Sequence, residues 1–144
     1  MVPTLYLCYE PDYRMIADRV DGYSVCPTNL DAYDARVDLS PDDPDAAPIR
    51  ESLSAQIRTC DTLVCLIGQT TFLDPWVAWE IRTYLERPDR RGLVGIMLHD
   101  LNTPPADMIE KGSIFIKFKR DALEAAVDGA IGATDLSVDF VIDE

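Results

Sequence analysis

The sequence predicts an α/β fold built around a buried, mainly parallel β-sheet. Its apolar runs are short and rich in branched or aromatic residues, and they alternate with longer segments in which apolar residues recur at helical spacing. The chain has 144 residues, of which 47% are hydrophobic, which suffices for one core without disulfides or metals. We therefore expect a single domain over residues 1–144, with its core at about 4–131 and an acidic tail or edge strand at 132–144.

The five predicted strands are assigned from the apolar runs. In chain order they are Leu5–Tyr9, a weaker strand near Tyr23–Cys26, Thr62–Ile67, Leu93–Leu98 and Ile114–Phe118. Thr62–Ile67 is the most continuous run, and we expect a central strand that is buried on both faces. Ligands of open α/β sheets bind beyond the carboxyl ends of the strands, so the segment after Ile67 is a candidate location for a site.

Four helices are predicted between and after the strands. They cover Tyr13–Val20, about Pro48–Cys60, about Pro75–Glu86 and a segment that begins near Asp121. The first should bury an apolar stripe that includes Met15, and the second repeats Ile49, Leu53 and Ile57 at four-residue spacing on one face. Residues 27–48 hold four of the ten prolines and many aspartates, so we expect a loop there rather than regular structure.

The charge and the cysteine pattern exclude several classes of function. The 26 acidic residues outnumber the 13 basic ones, and a net charge of −13 disfavours binding to nucleic acid or to anionic membranes. Cys8, Cys26, Cys60 and Cys65 form no CxxC pair and are expected to be structural thiols. His99 is the single histidine, so no metal site is expected. No secretory signal or membrane-length apolar run is present, which predicts a cytoplasmic location.

Several familiar α/β sites are also excluded. A dinucleotide-binding Rossmann turn needs glycines after the first strand, where residues 8–12 contain none. The chain has no GxxxxGK[ST] motif for a P-loop and no GxSxG elbow for an α/β hydrolase. A receiver domain needs an aspartate after the third strand, where Gly68 and Gln69 stand.

The third predicted helix carries the strongest candidate for a functional residue. Asp74 suits an N-cap and Pro75 the first helical position, and Trp76 and Glu80 follow on one face, with Trp79 beside Glu80. A carboxylate between two indoles is a place where a pKa is tuned. Two structural alternatives stay open, since tryptophans at helical spacing are often core anchors and an acid in a first turn favours the helix dipole.

These segments resemble the TIR-like family of bacterial defence proteins and of Toll/interleukin-1 receptor domains. The resemblance is carried by LYLCY, TLVCLIG, the loop QTT, LVGIML and above all PWVAWEI at residues 75–81, which matches the family's tryptophan-x-x-x-glutamate element. The two tryptophans make it especially similar to the TIR-like component of Thoeris antiphage systems. The resemblance implies a flavodoxin-like three-layer domain with a five-stranded, mainly parallel sheet in the order 2-1-3-4-5.

The resemblance also implies NAD+ glycohydrolase or cyclase activity, with Glu80 as the catalytic residue and NAD+ as the substrate rather than a cofactor. Cleavage of the nicotinamide N-glycosidic bond passes through an oxocarbenium-like state, which one carboxylate can stabilise. Tyr9 matches a tyrosine of the family and could line the site or pack in the core. Asp38 could contact the ribose or amide or be a solvated loop acid, and Trp76 is expected to buttress Glu80.

Departures from the family pattern leave the activity open. Many members carry Ser and Arg near the end of the first strand, where this chain has Cys8, Glu10 and Pro11. Electrostatic attraction of an anionic dinucleotide would therefore have to come from Arg14, Arg36 and Arg82. The resemblance further implies self-assembly into homo-oligomers and a downstream effector reached through a diffusible nucleotide. The alternatives are a noncatalytic TIR-type interaction module and a hydrolase or transferase that acts on another N-glycoside.

Overall fold

The computed structural model describes residues 3–27, 33, 35–109, 111–132 and 140–141, and these form one sheet with helices on both faces. The strands are β1 (Thr4–Cys8), β2 (Ser24–Cys26), β3 (Thr62–Ile67), β4 (Leu93–Met97), β5 (Ser113–Lys117) and β6 (Phe140–Val141). The helices are α1 (Arg14–Ala17), α2 (Ala47–Thr59), α3 (Pro75–Leu85) and α4 (Arg120–Gly132). Short 3-10 turns lie at Pro11–Tyr13, Ala35–Asp38, Pro44–Ala46, Thr71–Leu73 and Ala106–Met108.

The sheet has the order β2-β1-β3-β4-β5-β6, and every pair of neighbouring strands is parallel. The predicted α/β class and the order 2-1-3-4-5 are therefore confirmed. The two residues of β6, in the predicted tail, extend the sheet beyond β5. Residues 133–139 and 142–144 of that tail lie outside the described residues.

Alternation along β1 divides the core between the two faces of the sheet. Leu5 and Leu7 pack in the cluster that contains the apolar residues of α4. Tyr6 and Cys8 point to the other face, in the cluster that contains Ile81 of α3. β3 lies at the centre with all six residues buried, as its continuous apolar sequence predicts. Cys8 on β1 and the first turns of α3 consequently meet on one side of the sheet.

Local sequence explains the buried face of α2 and the first residue of α3. Ile49, Leu53 and Ile57 of α2 are all buried, as their spacing predicts. In α3 the Asp74 carboxylate accepts hydrogen bonds from the backbone N–H groups of Trp76 and Val77, at 2.9 and 3.1 Å. This N-cap, with Pro75 at the first helical position, fixes the start of the helix.

The first predicted helix is wrong in length and in its apolar stripe. Tyr13–Val20 was expected to be helical, but α1 ends at Ala17, and the N–H groups of Arg19 and Val20 bond three residues back in tight turns. Met15 is 81% exposed instead of buried. A helix of four residues presents too little surface to cover a full stripe, so only part of the expected face reaches the core.

The proline-rich and aspartate-rich segment contains short turns and several buried side chains. Ala35–Asp38 and Pro44–Ala46 are 3-10 helices, and Tyr33, Arg36 and Ala46 are buried. The expected loop thus contributes to the core. Residues 28–32 and 34, on which part of that expectation falls, lie outside the described residues. Across the part of the chain that the structure describes, no helix combines the length and the apolar character needed to cross a bilayer.

Candidate active site

A pocket of about 490 Å³ opens at the carboxyl edge of the sheet. Residues 10–12 after β1, residues 36–40, and residues 74–76 at the start of α3 line it. The position agrees with the rule that open α/β sheets bind ligands beyond the ends of their strands. It makes this pocket the candidate active site.

Glu80 lies beside this pocket but is completely buried and does not line it. The hydroxyl of Tyr6 donates a hydrogen bond of 2.5 Å to Oε2, and the thiol of Cys8 lies 3.5 Å from Oε1. Arg36 Nη1 donates to Oε1 and completes an ion pair. Within the described residues, the carboxylate is therefore held from β1 on one side and from the 36–40 segment on the other.

Arg36 separates Glu80 from the pocket. Its guanidinium pairs with Glu80, and the residue also lines the pocket. Nε donates to the carbonyl oxygen of Tyr33 at 3.1 Å, and Nη2 donates to that of Tyr9 at 2.9 Å. The guanidinium carbon lies 3.5 Å from the ring centroid of Tyr33 and 5.8 Å from that of Trp76. These contacts keep a charged side chain stable at 3% exposure.

Burial dominates the electrostatics of the pair. It raises the pKa of the Glu80 carboxyl above its usual value, and the Arg36 guanidinium and the donors from Tyr6 and Cys8 oppose that rise. Burial alone would lower the pKa of the Arg36 guanidinium, but the Glu80 carboxylate together with Tyr33, Cys8 and Tyr6 outweighs it, and the pKa is raised. Burial, followed by the charge of Glu80, also raises the pKa of the Tyr6 hydroxyl. Tyr6 thus remains a neutral donor to the carboxylate.

Comparison with known families decides what kind of domain carries this site. The family model described as Thoeris protein ThsB, TIR-like domain, matches residues 10–103, which is more than half of the chain and includes α3 with Glu80. The chain belongs to this family. The resemblance based on PWVAWEI is thereby confirmed. No significant match is found among curated proteins.

The other predicted contact residues of this TIR-like domain occupy different positions around the pocket. Asp38 is exposed and lines it. Tyr9 is buried outside the lining, with its ring 4.9 Å from that of Tyr33 and its hydroxyl accepting from Arg14 Nε at 3.1 Å. Tyr9 contacts the site through its backbone carbonyl oxygen, which accepts a hydrogen bond from Arg36 Nη2.

Trp76 lines the pocket and anchors its wall. The indole N–H donates to the carbonyl oxygen of Leu39 at 2.6 Å, which ties the 36–40 segment to α3. The Arg36 guanidinium, which pairs with Glu80, lies 5.8 Å from the Trp76 ring. Trp79 meets Trp76 edge-on at 5.5 Å and lines a separate groove of about 690 Å³ between α2 and α3. The expected environment of two indoles around the carboxylate is therefore replaced by Tyr6, Cys8 and Arg36.

Two residues of the TIR-like site had weak signals in the sequence. Tyr6 shares a strand face with Cys8 by the two-residue period of β1, and that period indicates a side chain directed at α3. Arg36 was expected only as one of three arginines that could attract a dinucleotide. Of the other two, Arg14 contacts Tyr9 and Arg82 lies 3.8 Å from Asp107, and neither lines the pocket.

The four thiols of the domain form no disulfide within the described residues. Cys8, Cys60 and Cys65 are buried and free, as expected of structural thiols, and Cys26 is half-buried. Among the residues that the structure describes, no group of three or more histidine, cysteine or acidic side chains is arranged to hold a metal ion.

Proposed function

We propose that this TIR-like domain is an NAD+ glycohydrolase or cyclase in which Glu80 is the catalytic carboxylate. Its product would be an ADP-ribose-derived signal that acts on a downstream effector in antiphage defence. One observation carries the proposal: the glutamate of the family's tryptophan-x-x-x-glutamate element is buried, ion-paired and adjacent to the pocket at the carboxyl edge of the sheet. Buried carboxylates with specific charge partners beside a cleft are frequent in active sites.

The reaction needs one carboxylate beside the ribose. The C1′–N bond breaks and its electron pair leaves with nicotinamide, which is already cationic in NAD+ and needs no general acid. The ribose becomes an oxocarbenium-like cation that the negative charge of Glu80 stabilises. Water then adds to C1′ and loses a proton to give ADP-ribose, or a nitrogen of the adenine adds instead to give a cyclic product.

Access to Glu80 requires a rearrangement of Arg36. In the closed arrangement the carboxylate has no exposed surface and Arg36 stands between it and the pocket. We propose that substrate entry moves the guanidinium away from Glu80, so that the carboxylate becomes accessible to the substrate. The 36–40 segment is the element that must shift, since it carries Arg36 and forms the pocket wall. Self-assembly of several copies would favour the open arrangement if a neighbour held this segment.

The test measures nicotinamide release from NAD+ by concentrated protein, with and without a crowding agent. Glu80→Gln keeps an oxygen acceptor for Tyr6 and Arg36 and should abolish release. Glu86→Gln is the matched control, because Glu86 is exposed at the C-terminal end of the same helix and should leave release unchanged. Circular dichroism of both variants separates lost chemistry from lost folding. Release that is indifferent to Glu80, or absent from the wild type in every condition, would overturn the proposal.

A second candidate function is a noncatalytic interaction module that works by assembly. Two observations favour it: the contacts of Glu80 suit a structural ion pair, and several large apolar side chains are exposed around the carboxyl edge of the sheet, namely Val37, Phe72, Leu73 and Leu101. It predicts concentration-dependent oligomers with no turnover of NAD+. Sedimentation measured on the samples used for nicotinamide release identifies this function if oligomers form and no nicotinamide is released.

A further inference from the structure

The guanidinium of Arg36 is held in the way that a protein holds a cationic ligand. It is a flat, delocalised cation that faces the ring of Tyr33 at 3.5 Å and lies 5.8 Å from the ring of Trp76. Its edge meets the Glu80 carboxylate and the carbonyl oxygens of Tyr9 and Tyr33. Among the described residues, these contacts are with aromatic rings and hydrogen-bond acceptors.

The same surroundings would recognise any planar cation of similar width. An aromatic face attracts positive charge irrespective of the group that carries it, and a buried carboxylate without a counter-ion is strongly unfavourable. The backbone carbonyls of Tyr9 and Tyr33 add hydrogen-bond acceptors, which the N–H groups of a carboxamide on the cation can satisfy. If the Arg36 side chain leaves, these groups form a cavity whose carboxyl group is charged only when another cation enters, because burial raises its pKa and otherwise favours the protonated form.

The adjoining pocket gives such a cation a route to this position. Arg36 and Trp76 border both the pocket and the ion pair. The remaining charged residues of the lining are Glu10, Asp12, Asp38 and Asp74, which are all acidic. Among the lining residues, Arg36 is the only one whose charge would repel an entering cation.

We propose that the space filled by the guanidinium of Arg36 is a binding site for planar organic cations of the N-alkylpyridinium class, and that Arg36 occupies it as an internal ligand in the resting state. Assigning the nicotinamide ring of NAD+ to this space rests on the proposed function, whereas the site itself does not. Glu80 would exchange one delocalised cation for another, and the exchange would bring the scissile bond to the carboxylate.

The experiment vacates the site and offers it a free cation. Arg36→Ala removes the internal ligand, and isothermal titration then measures binding of 1-methylnicotinamide, a pyridinium cation, and of nicotinamide, its neutral counterpart. We expect Arg36→Ala to bind the cation at least about tenfold more tightly than nicotinamide, and more tightly than the wild type does. The double variant Arg36→Ala/Glu80→Gln should lose this preference.

Arg50→Ala is the matched control for loss of an arginine. Arg50 Nη1 donates to the carbonyl oxygens of Pro41 and Asp43, away from Glu80 and the pocket, so its removal should create no cation preference. Equal binding of both ligands by Arg36→Ala, or no binding by a folded Arg36→Ala protein, would overturn the inference.

A folding defect still gives a decisive result. If Arg36→Ala folds only when 1-methylnicotinamide is present, circular dichroism reports binding directly and supports the site. If it stays unfolded with the cation while the double variant folds, the space does not accept a free cation. None of these readouts depends on turnover of NAD+. Cation binding without NAD+ cleavage would therefore contradict the proposed function and still support this inference.

Discussion

Arg36 and Glu80 form a buried ion pair that joins the segment after β2 to helix α3, although 44 residues separate them in the chain. The pair closes the candidate active site, because its arginine lines the pocket and its carboxylate lies behind that arginine. The pair also links stability to function, because the Glu80 carboxylate proposed for catalysis is the counter-charge of the buried Arg36.

Replacing Glu80 by alanine should destabilise the fold strongly, because Arg36 would remain buried without a counter-charge. Removal of one partner of a buried ion pair costs about 3–5 kcal/mol. Glu80→Gln keeps an acceptor for Arg36 and should cost less. Urea titrations give the free energies of unfolding, and Glu86→Ala is the exposed control, expected within about 0.5 kcal/mol of the wild type. Equal losses for Glu80→Ala and Glu86→Ala would contradict an energetically important pair.

Acidification should increase the contribution of Glu80 to stability. Burial raises the pKa of the folded carboxyl above that of the unfolded chain, which is about 4.3. The folded protein then takes up a proton before the unfolded chain does, so this contribution is fully present below the unfolded pKa and is lost as the pH rises through the folded pKa. Unfolding of the wild type and of Glu80→Gln should be compared from about pH 4 to pH 8. The free-energy difference, wild type minus variant, should grow as the pH falls, and a decrease would show that Arg36 prevails over burial.

Removal of the Tyr6 hydroxyl should raise the pKa of Glu80 further. Tyr6→Phe deletes a donor to the charged form of the carboxylate, at a cost of about 1.5–3 kcal/mol at neutral pH. The pH at which the contribution of Glu80 is lost should move upward in the unfolding series. Tyr84→Phe is the control, because Tyr84 is also buried but its hydroxyl bonds Gly92 and Arg91 instead. An identical pH dependence in the two variants would argue against a role for Tyr6.

Loss of the N-cap of α3 should weaken the helix that carries Glu80. Asp74→Ala leaves the N–H groups of Trp76 and Val77 without their acceptor and should cost about 1 kcal/mol. Asp74→Asn retains a side-chain oxygen and should retain most of the stability. Thermal unfolding measures both variants, and the cap would be shown to be unimportant if alanine and asparagine gave the same midpoint as the wild type.

The wall of the pocket should loosen when the indole N–H of Trp76 is removed. Trp76→Phe deletes the hydrogen bond to the carbonyl oxygen of Leu39 and keeps an aromatic ring. Amide hydrogen exchange within residues 36–40 should become faster. Trp79→Phe, which changes a tryptophan outside this pocket, should leave that exchange rate unchanged. Similar rates in the wild type and in Trp76→Phe would show that other contacts hold the segment.

The sequence by itself determined the features that depend on neighbouring residues. The apolar run Thr62–Ile67 gives β3 with the predicted bounds, because a strand buried on both faces needs an unbroken apolar sequence. Asp74 and Pro75 fix the first residue of α3, because a cap and a preset φ act within one turn. The short element PWVAWEI identified the family and indicated Glu80, because all of its residues lie within a single helix and their spacing can be recognised locally.

Only the tertiary structure decided which groups surround Glu80 and whether it is exposed. Arg36 stands in an irregular segment rich in aspartate and proline, where no periodicity indicates burial, and its partner is fixed by how that segment folds back over α3. Met15 illustrates the same limit, because helical spacing marks a possible apolar face but the length of the helix determines whether that face reaches the core. Local patterns set secondary structure, whereas pairing between distant charges depends on the path of the whole chain.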